Sequence, residues 1–191
     1  MKTDKQTRLD QITADMLSDK NLCPDLAKTA TNIVPGEGNP NADVVFIGEA
    51  PGKLEDETGK PFVGASGKFL TQLIESAGLK RSDVFITSIV KYRPPNNRDP
   101  RPDEKAQSWP YLLRQLRVIQ PRLVVTLGRH SMGYFIPKGT ITTLHGMLVT
   151  GGEWPVLPLL HPAAALYNNS MRKVVQEDFA LLKDIILKGK L

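Results

Sequence analysis

Four short apolar runs, each closed by a glycine or a polar residue and separated by helix-length stretches, constrain this chain more than any other feature. They are Val44-Val45-Phe46-Ile47 before Gly48, the run from Val84 to Val90, Leu123-Val124-Val125-Thr126-Leu127 before Gly128, and Val156 to Leu160. Continuous runs of this length suit strands covered on both faces. Between them lie helix patterns: 67–77 with Phe69, Leu70, Leu73 and Ile74 on one side, 103–119 with Trp109, Leu112, Leu113 and Leu116, and a last helix over 172–187. Strand and crossover-length helix in alternation predict an α/β chain whose mostly parallel sheet has helices on both sides. Leu9, Ile12 and Leu17 add a short amphipathic helix over 5–18 that packs as a cap, whereas the polar stretch 35–41 is expected to stop periodic structure. With no internal repeat or low-complexity linker, residues 1–191 are expected to form a single domain.

Composition then narrows the chemistry. Cys23 is the only cysteine, which excludes an intramolecular disulfide and an all-cysteine metal or iron–sulfur site within the chain. The three histidines show no metal-ligand spacing, so no metal and no cofactor are expected. Against 20 acidic residues stand 25 Lys+Arg, a surplus that leans toward an anionic partner. Residues 1–19 mix charges throughout and lack the apolar run of a signal peptide or a membrane span, so a soluble, cytoplasmic protein without a membrane partner is expected.

In such sheets chemistry gathers outside the carboxyl ends of the strands. That rule selects Gly48-Glu49-Ala50-Pro51-Gly52, Ser88 through Arg98, Gly128-Arg129-His130, and His161-Pro162-Ala163-Ala164. The first is a tight turn able to present N–H groups, followed by Glu55, Asp56 and Phe62, an acidic pair near an aromatic face on which a planar base can stack. The second, Lys91 to Arg101, packs four cations and three prolines into a stiff loop suited to phosphate contact. In the fourth, His161 offers an imidazole whose tautomers donate or accept.

These residues resemble the family 4 group of the uracil-DNA glycosylase superfamily, the thermostable iron–sulfur class. The resemblance is carried by GEAPGKLEDETGKPFVGASG at 48–67, VFITSIVKYRPPNNRDP at 84–100 and LLHPAAALY at 159–167. It implies a three-layer α/β/α sandwich around a central four-stranded sheet, with a base pocket at the strand ends. It also implies excision of uracil or another deaminated base from DNA, by a chain acting as a monomer. Glu49 would position the attacking water, and His161 would stabilise the charge on the leaving base. Ala50, Gly52, Glu55, Phe62 and Ser88 would surround the base, with Phe62 stacked on it. Lys91, Arg93, Asn97 and Arg98 would meet phosphates, and Ala163, Ala164, Ala165 and Leu166 would press into the minor groove.

Two features depart from that pattern. Where the family carries four cluster cysteines, only Cys23 lies near one, and Tyr92 and Ser108 stand where two others would fall, so the cluster is expected to be absent and packing, with Tyr92 and Trp109, to take its role. Ser88 replaces the asparagine that pairs with the uracil edge, exchanging a fixed donor and acceptor for one rotatable hydroxyl. That exchange leaves open a catalytically weakened relative that binds DNA or a partner without efficient excision. A third reading, a nucleotide-binding doubly wound domain, lacks a GxGxxG or GxxxxGK[ST] loop.

Overall fold

The computed structural model describes residues 3–166 and 168–187. Tyr167, the last residue of the third motif, and both ends of the predicted 1–191 domain lie outside them. Five strands, β1 (Glu37–Gly38), β2 (Val44–Gly48), β3 (Phe85–Ser88), β4 (Leu123–Leu127) and β5 (Val156–Leu159), form one sheet in the order β1-β3-β2-β4-β5. Every pairing is parallel except that of β1 with β3. Eight helices accompany them among the described residues: α1 (Asp4–Ser18), α2 (Pro24–Ala27), α3 (Lys53–Thr58), α4 (Ala65–Ser76), α5 (Pro102–Ile119), α6 (Arg129–Phe135), α7 (Ile141–Leu144) and α8 (Asn169–Leu187). None of them is long and apolar enough to cross a membrane.

Alternation along the strands divides the interior into two layers. Val44 and Phe46 of β2 join α4 and α8 in one core, where Phe46 lies parallel to Phe179 with ring centroids 6.1 Å apart. Val45 and Ile47 point the other way and meet α1 and α5. The predicted stripe of α4 is wholly buried, Phe69, Leu70, Leu73 and Ile74 alike. Each such side chain contributes about 1.5–3 kcal/mol of transfer free energy, enough to fix which face the helix turns inward. The three-layer α/β/α sandwich is therefore observed.

The sequence reading is corrected in three places. The sheet has a fifth strand, β1, inside the stretch read as irregular. Its two residues, Glu37 and Gly38, pair with Ile86 and Phe85 and are too few for any periodicity to mark them. In α1 the inward residues are Leu9, Ile12 and Met16, while Leu17 is 64% exposed, because a turn of 3.6 residues brings Met16 rather than Leu17 under Ile12. Finally, β3 ends at Ser88, and Ile89 and Val90 continue as a turn whose amides bond Gly48 O and Glu49 O.

The two sheet margins differ: β5 is covered by local chemistry, and β1 is an exposed edge of two residues. At one, β5 contains Pro158, which has no amide proton to offer, and its carbonyl accepts from Gly146 N. Val149 and Val156 exchange two further backbone bonds along the same edge. At the other lies the two-residue β1.

A candidate active-site cleft at the strand ends

The parallel register brings four chain segments to one end of the sheet. Gly48 pairs with Ser88, Ile47 with Thr126, and Leu127 with Leu159, so the segments leaving β2, β3, β4 and β5 emerge side by side. They surround a cavity of about 350 Å³ lined by Glu49, Ala50, Pro51, Gly52, Glu55, Phe62, Ser88, Pro94, Asn97, Arg98, Asp99, His161 and Ala163, with Val34, Pro61 and Ser66. The strand-end rule thus points to this cavity, and the residues expected around a base, Glu49, Ala50, Gly52, Glu55, Phe62, Ser88 and His161, come together there.

His161 is held by a ring contact and one hydrogen bond. Its ring lies 5.8 Å from that of Phe62, centroid to centroid, at 30°. Nδ1 accepts from Ala163 N at 3.1 Å, so the neutral ring carries its proton on Nε2 and is a donor there. Burial holds its pKa down to about 4, which keeps the ring uncharged near neutrality.

Glu49 follows β2 and is partly exposed. Burial raises the pKa of its carboxyl above the ordinary glutamate value, and the nearby His130 opposes that shift. His130 Nε2 stands 3.8 Å from Glu49 Oε2 and 3.1 Å from Asp99 Oδ2, and Arg129 Nη2 donates to the same Asp99 oxygen at 3.0 Å. Glu49, Asp99 and His130 therefore form a polar rim at the cleft. The strand-end rule had selected His130 within its segment, but no sequence pattern separated it from His145. The structure separates them: His145 Nδ1 pairs at 2.8 Å with Asp178, a buried α8 carboxylate that also accepts from Leu160 N and so ties α8 to the end of β5.

Glu55 and Ser88 are both buried. Glu55 Oε1 accepts from Val63 N at 2.9 Å and Gly64 N at 2.8 Å, so the carboxylate holds the Phe62 turn as well as lining the cavity.

The predicted phosphate and groove contacts divide. Lys91 is fully buried and is withdrawn as a DNA contact. Its Nζ donates to Thr87 Oγ1 at 2.6 Å, Ser88 O at 2.9 Å, Gln115 Oε1 at 2.9 Å and Pro35 O at 3.3 Å. Burial lowers its pKa to about 7. Arg98 lines the cavity mouth, but its guanidinium grips the buried carboxylate of Glu104 through both terminal nitrogens. Arg93 bonds the exposed Asn97 through Nε alone. Of the groove residues, Ala165 is buried in the core beneath α8 and cannot press outward, Leu166 packs partly against that core, Ala163 is partly exposed and Ala164 is exposed.

The region read as a former cluster site does not fit an iron–sulfur group. Its one thiol, Cys23, is buried, donates to Glu104 O at 3.2 Å and lies 3.4 Å from Ser108 Oγ. Neither a serine nor a tyrosine supplies the soft thiolate that such iron takes. Tyr92 and Trp109 pack partly buried against the same core, and the Trp109 and Tyr134 rings are 4.8 Å apart.

Comparison with known proteins agrees with this geometry. A family model described as the uracil DNA glycosylase superfamily matches residues 35–183. The chain is 52% identical over 171 residues to the type-4 uracil-DNA glycosylase of Saccharolobus solfataricus, an alignment covering 84% of this chain and 79% of that protein. With the type-4 uracil-DNA glycosylase of Archaeoglobus fulgidus it shares 42% identity over 186 residues, covering 93% and 92%. A type-4 uracil-DNA glycosylase from Thermotoga maritima is 41% identical over 184 residues, covering 93% and 95%.

Proposed function

The chain belongs to the uracil-DNA glycosylase superfamily, and from that premise we propose that it is a monofunctional DNA glycosylase that hydrolyses the bond joining uracil, or another deaminated base, to its deoxyribose. The product is an abasic site, and DNA repair is the setting. The observation that carries this reading is the joint lining of one cavity by Glu49, Phe62, Ser88 and His161, which reach it from three different strand ends and an intervening turn.

Breaking the C1′–N bond sends its electron pair out with the base and leaves a cation-like sugar, so catalysis consists largely of stabilising two opposite charges. The neutral His161 ring donates from Nε2 to the developing anion. Because burial keeps the ring unprotonated down to about pH 4, this is a hydrogen bond and not a proton transfer. On the sugar side Glu49, once ionised, holds a water for attack on C1′, accepts its proton and offsets the sugar's positive charge. The base is then protonated by solvent. No metal or organic cofactor enters these steps.

Phe62 supplies the face on which the extruded base stacks, with Ala50 and Gly52 allowing close approach to the main chain. Ser88 meets the base edge with a single hydroxyl. Outside the cleft, Arg93 and Asn97 follow the phosphates while Ala163, Ala164 and Leu166 face the groove. The protein acts as a one-domain monomer in the cytoplasm.

The test is a labelled duplex with one uracil, incubated with purified protein and then treated with alkali. Strand cleavage that disappears in His161→Ala and Glu49→Ala is expected. No cleavage with uracil, hypoxanthine or xanthine would refute the assignment, and the ranking of the three measures what Ser88 does to selectivity.

A further inference from the structure

The turn Pro61–Gly64 stores strain. Phe62 has φ 52°, a left-handed conformation that is unfavourable for a bulky non-glycine residue and persists only where the surroundings over-determine it. Two glycines form part of that surround. A Cβ on Gly48 would lie 2.6 Å from the Phe62 ring, and one on Gly67 would lie 2.0 Å from the Phe62 carbonyl carbon and oxygen. Glu55 ties the far side of the turn through the amides of Val63 and Gly64.

The near side is held by Arg81, which the mechanism leaves without a task. It sits in the one-turn 3-10 segment Arg81–Asp83 before β3. Its Nη2 donates to Pro61 O at 2.7 Å and its Nη1 to Thr71 Oγ1 at 3.1 Å. Thr71 Oγ1 in turn donates to Gly67 O at 3.2 Å, at the glycine that seats Phe62. One half-buried guanidinium therefore joins the strained turn to the first turns of α4.

We propose that Arg81 is a positioning residue for base recognition: it clamps the carbonyl preceding Phe62, so that the aromatic ring is fixed in the cleft before DNA arrives. The inference rests on the glycosylase reading only for the identity of what the ring meets. A lysine cannot make the same forked contact, since a guanidinium presents two parallel donors in one plane and an ammonium is a point charge.

The experiment is a double-mutant cycle with Arg81→Met and Phe62→Leu, measured on the uracil duplex. Arg81→Met is expected to lower kcat/KM about tenfold and to weaken inhibition by free uracil about as much, with affinity for undamaged duplex unchanged. In the Phe62→Leu background the same change should cost less than about twofold, because the residue it acts through is gone. Equal losses in both backgrounds, or unchanged inhibition by uracil, would overturn the proposal. Amide exchange at Val63 and Gly64 gives a readout independent of catalysis: it should accelerate in Arg81→Met, and unchanged exchange would also overturn it. A wild-type protein inactive on every base would sink the glycosylase reading and leave exchange to decide the clamp. Should Arg81→Met fail to fold, Arg81→Lys carries the same cycle, with a smaller loss in the same direction.

Discussion

The floor of the cleft and the basic loop at its mouth are built by opposite means. On the floor, Ser88 is held by the backbone at the end of β3, and His161 is placed two residues beyond β5. The Ser88 hydroxyl and the Nε2 of His161, whose Nδ1 is engaged by Ala163 N, are left over for chemistry. In the loop from Lys91 to Arg101, side chains hold the backbone instead: Lys91 is spent on four internal oxygens, three of them buried, Arg98 on Glu104, and Arg93 in part on Asn97. Counting charges in such a loop overstates what it offers to a polyanion, because a cation consumed internally neutralises no phosphate.

That contrast breaks if substitutions on the floor leave activity standing. His161→Ala is expected to lower kcat by about 10²–10³-fold with little change in DNA affinity, since it removes a donor that matters in the transition state. Single-turnover kinetics with affinity measured by anisotropy separate the two. Next comes the acid limb of the pH profile. Glu49 must be ionised and burial raises its pKa, so activity should fall about tenfold per pH unit from a point above the ordinary glutamate range. A limb at or below that range would remove Glu49 from its role.

The loop makes smaller predictions. Lys91→Met leaves Ser88 O and the Gln115 side-chain oxygen short of a donor, and a cost of about 1–3 kcal/mol in urea unfolding is expected. The salt dependence of DNA binding should not move. The pH dependence of stability carries its own sign. The folded amine titrates near 7 and the unfolded one near 10.5, so between those values the unfolded chain holds a proton that the folded chain releases. Raising pH from 7 to 10 therefore stabilises the wild type relative to Lys91→Met, and parallel curves would contradict the assignment. Smallest of all, Arg93→Ala should reduce the slope of log K against log salt by about one, which the buried Lys91 cannot do. Equal salt slopes for the two variants would erase the distinction between the regions.

Much of the site was legible because its geometry follows from chain order. Parallel strands must all end on one side, so Glu49, Ser88, His130 and His161 could be grouped from their places after apolar runs. What stayed hidden depends on which atoms meet. Lys91 and Arg93 are two residues apart and alike in charge, yet Lys91 folds under the sheet toward Gln115 of α5 while Arg93 stays at the loop surface. No local pattern encodes that partner, 24 residues away. The clamp from Arg81 to Pro61 spans 20 residues and uses a backbone oxygen, which leaves no mark in the side-chain sequence. Met16 against Leu17 is a different failure, since two adjacent apolar residues fit the helical period almost equally and packing against α5 decides between them.

The two borders of the sheet, one covered and one only two residues long, have a consequence for how the molecule behaves in company. An open strand flank invites a neighbour's backbone to add itself, and repeated addition ends in fibrils. Here the imino residue Pro158 and the 146–149 segment leave one flank little to offer, and a ladder two residues long gives the other scant purchase. Crowded preparations should stay dispersed, and the route to self-association through strand addition is narrow at either side.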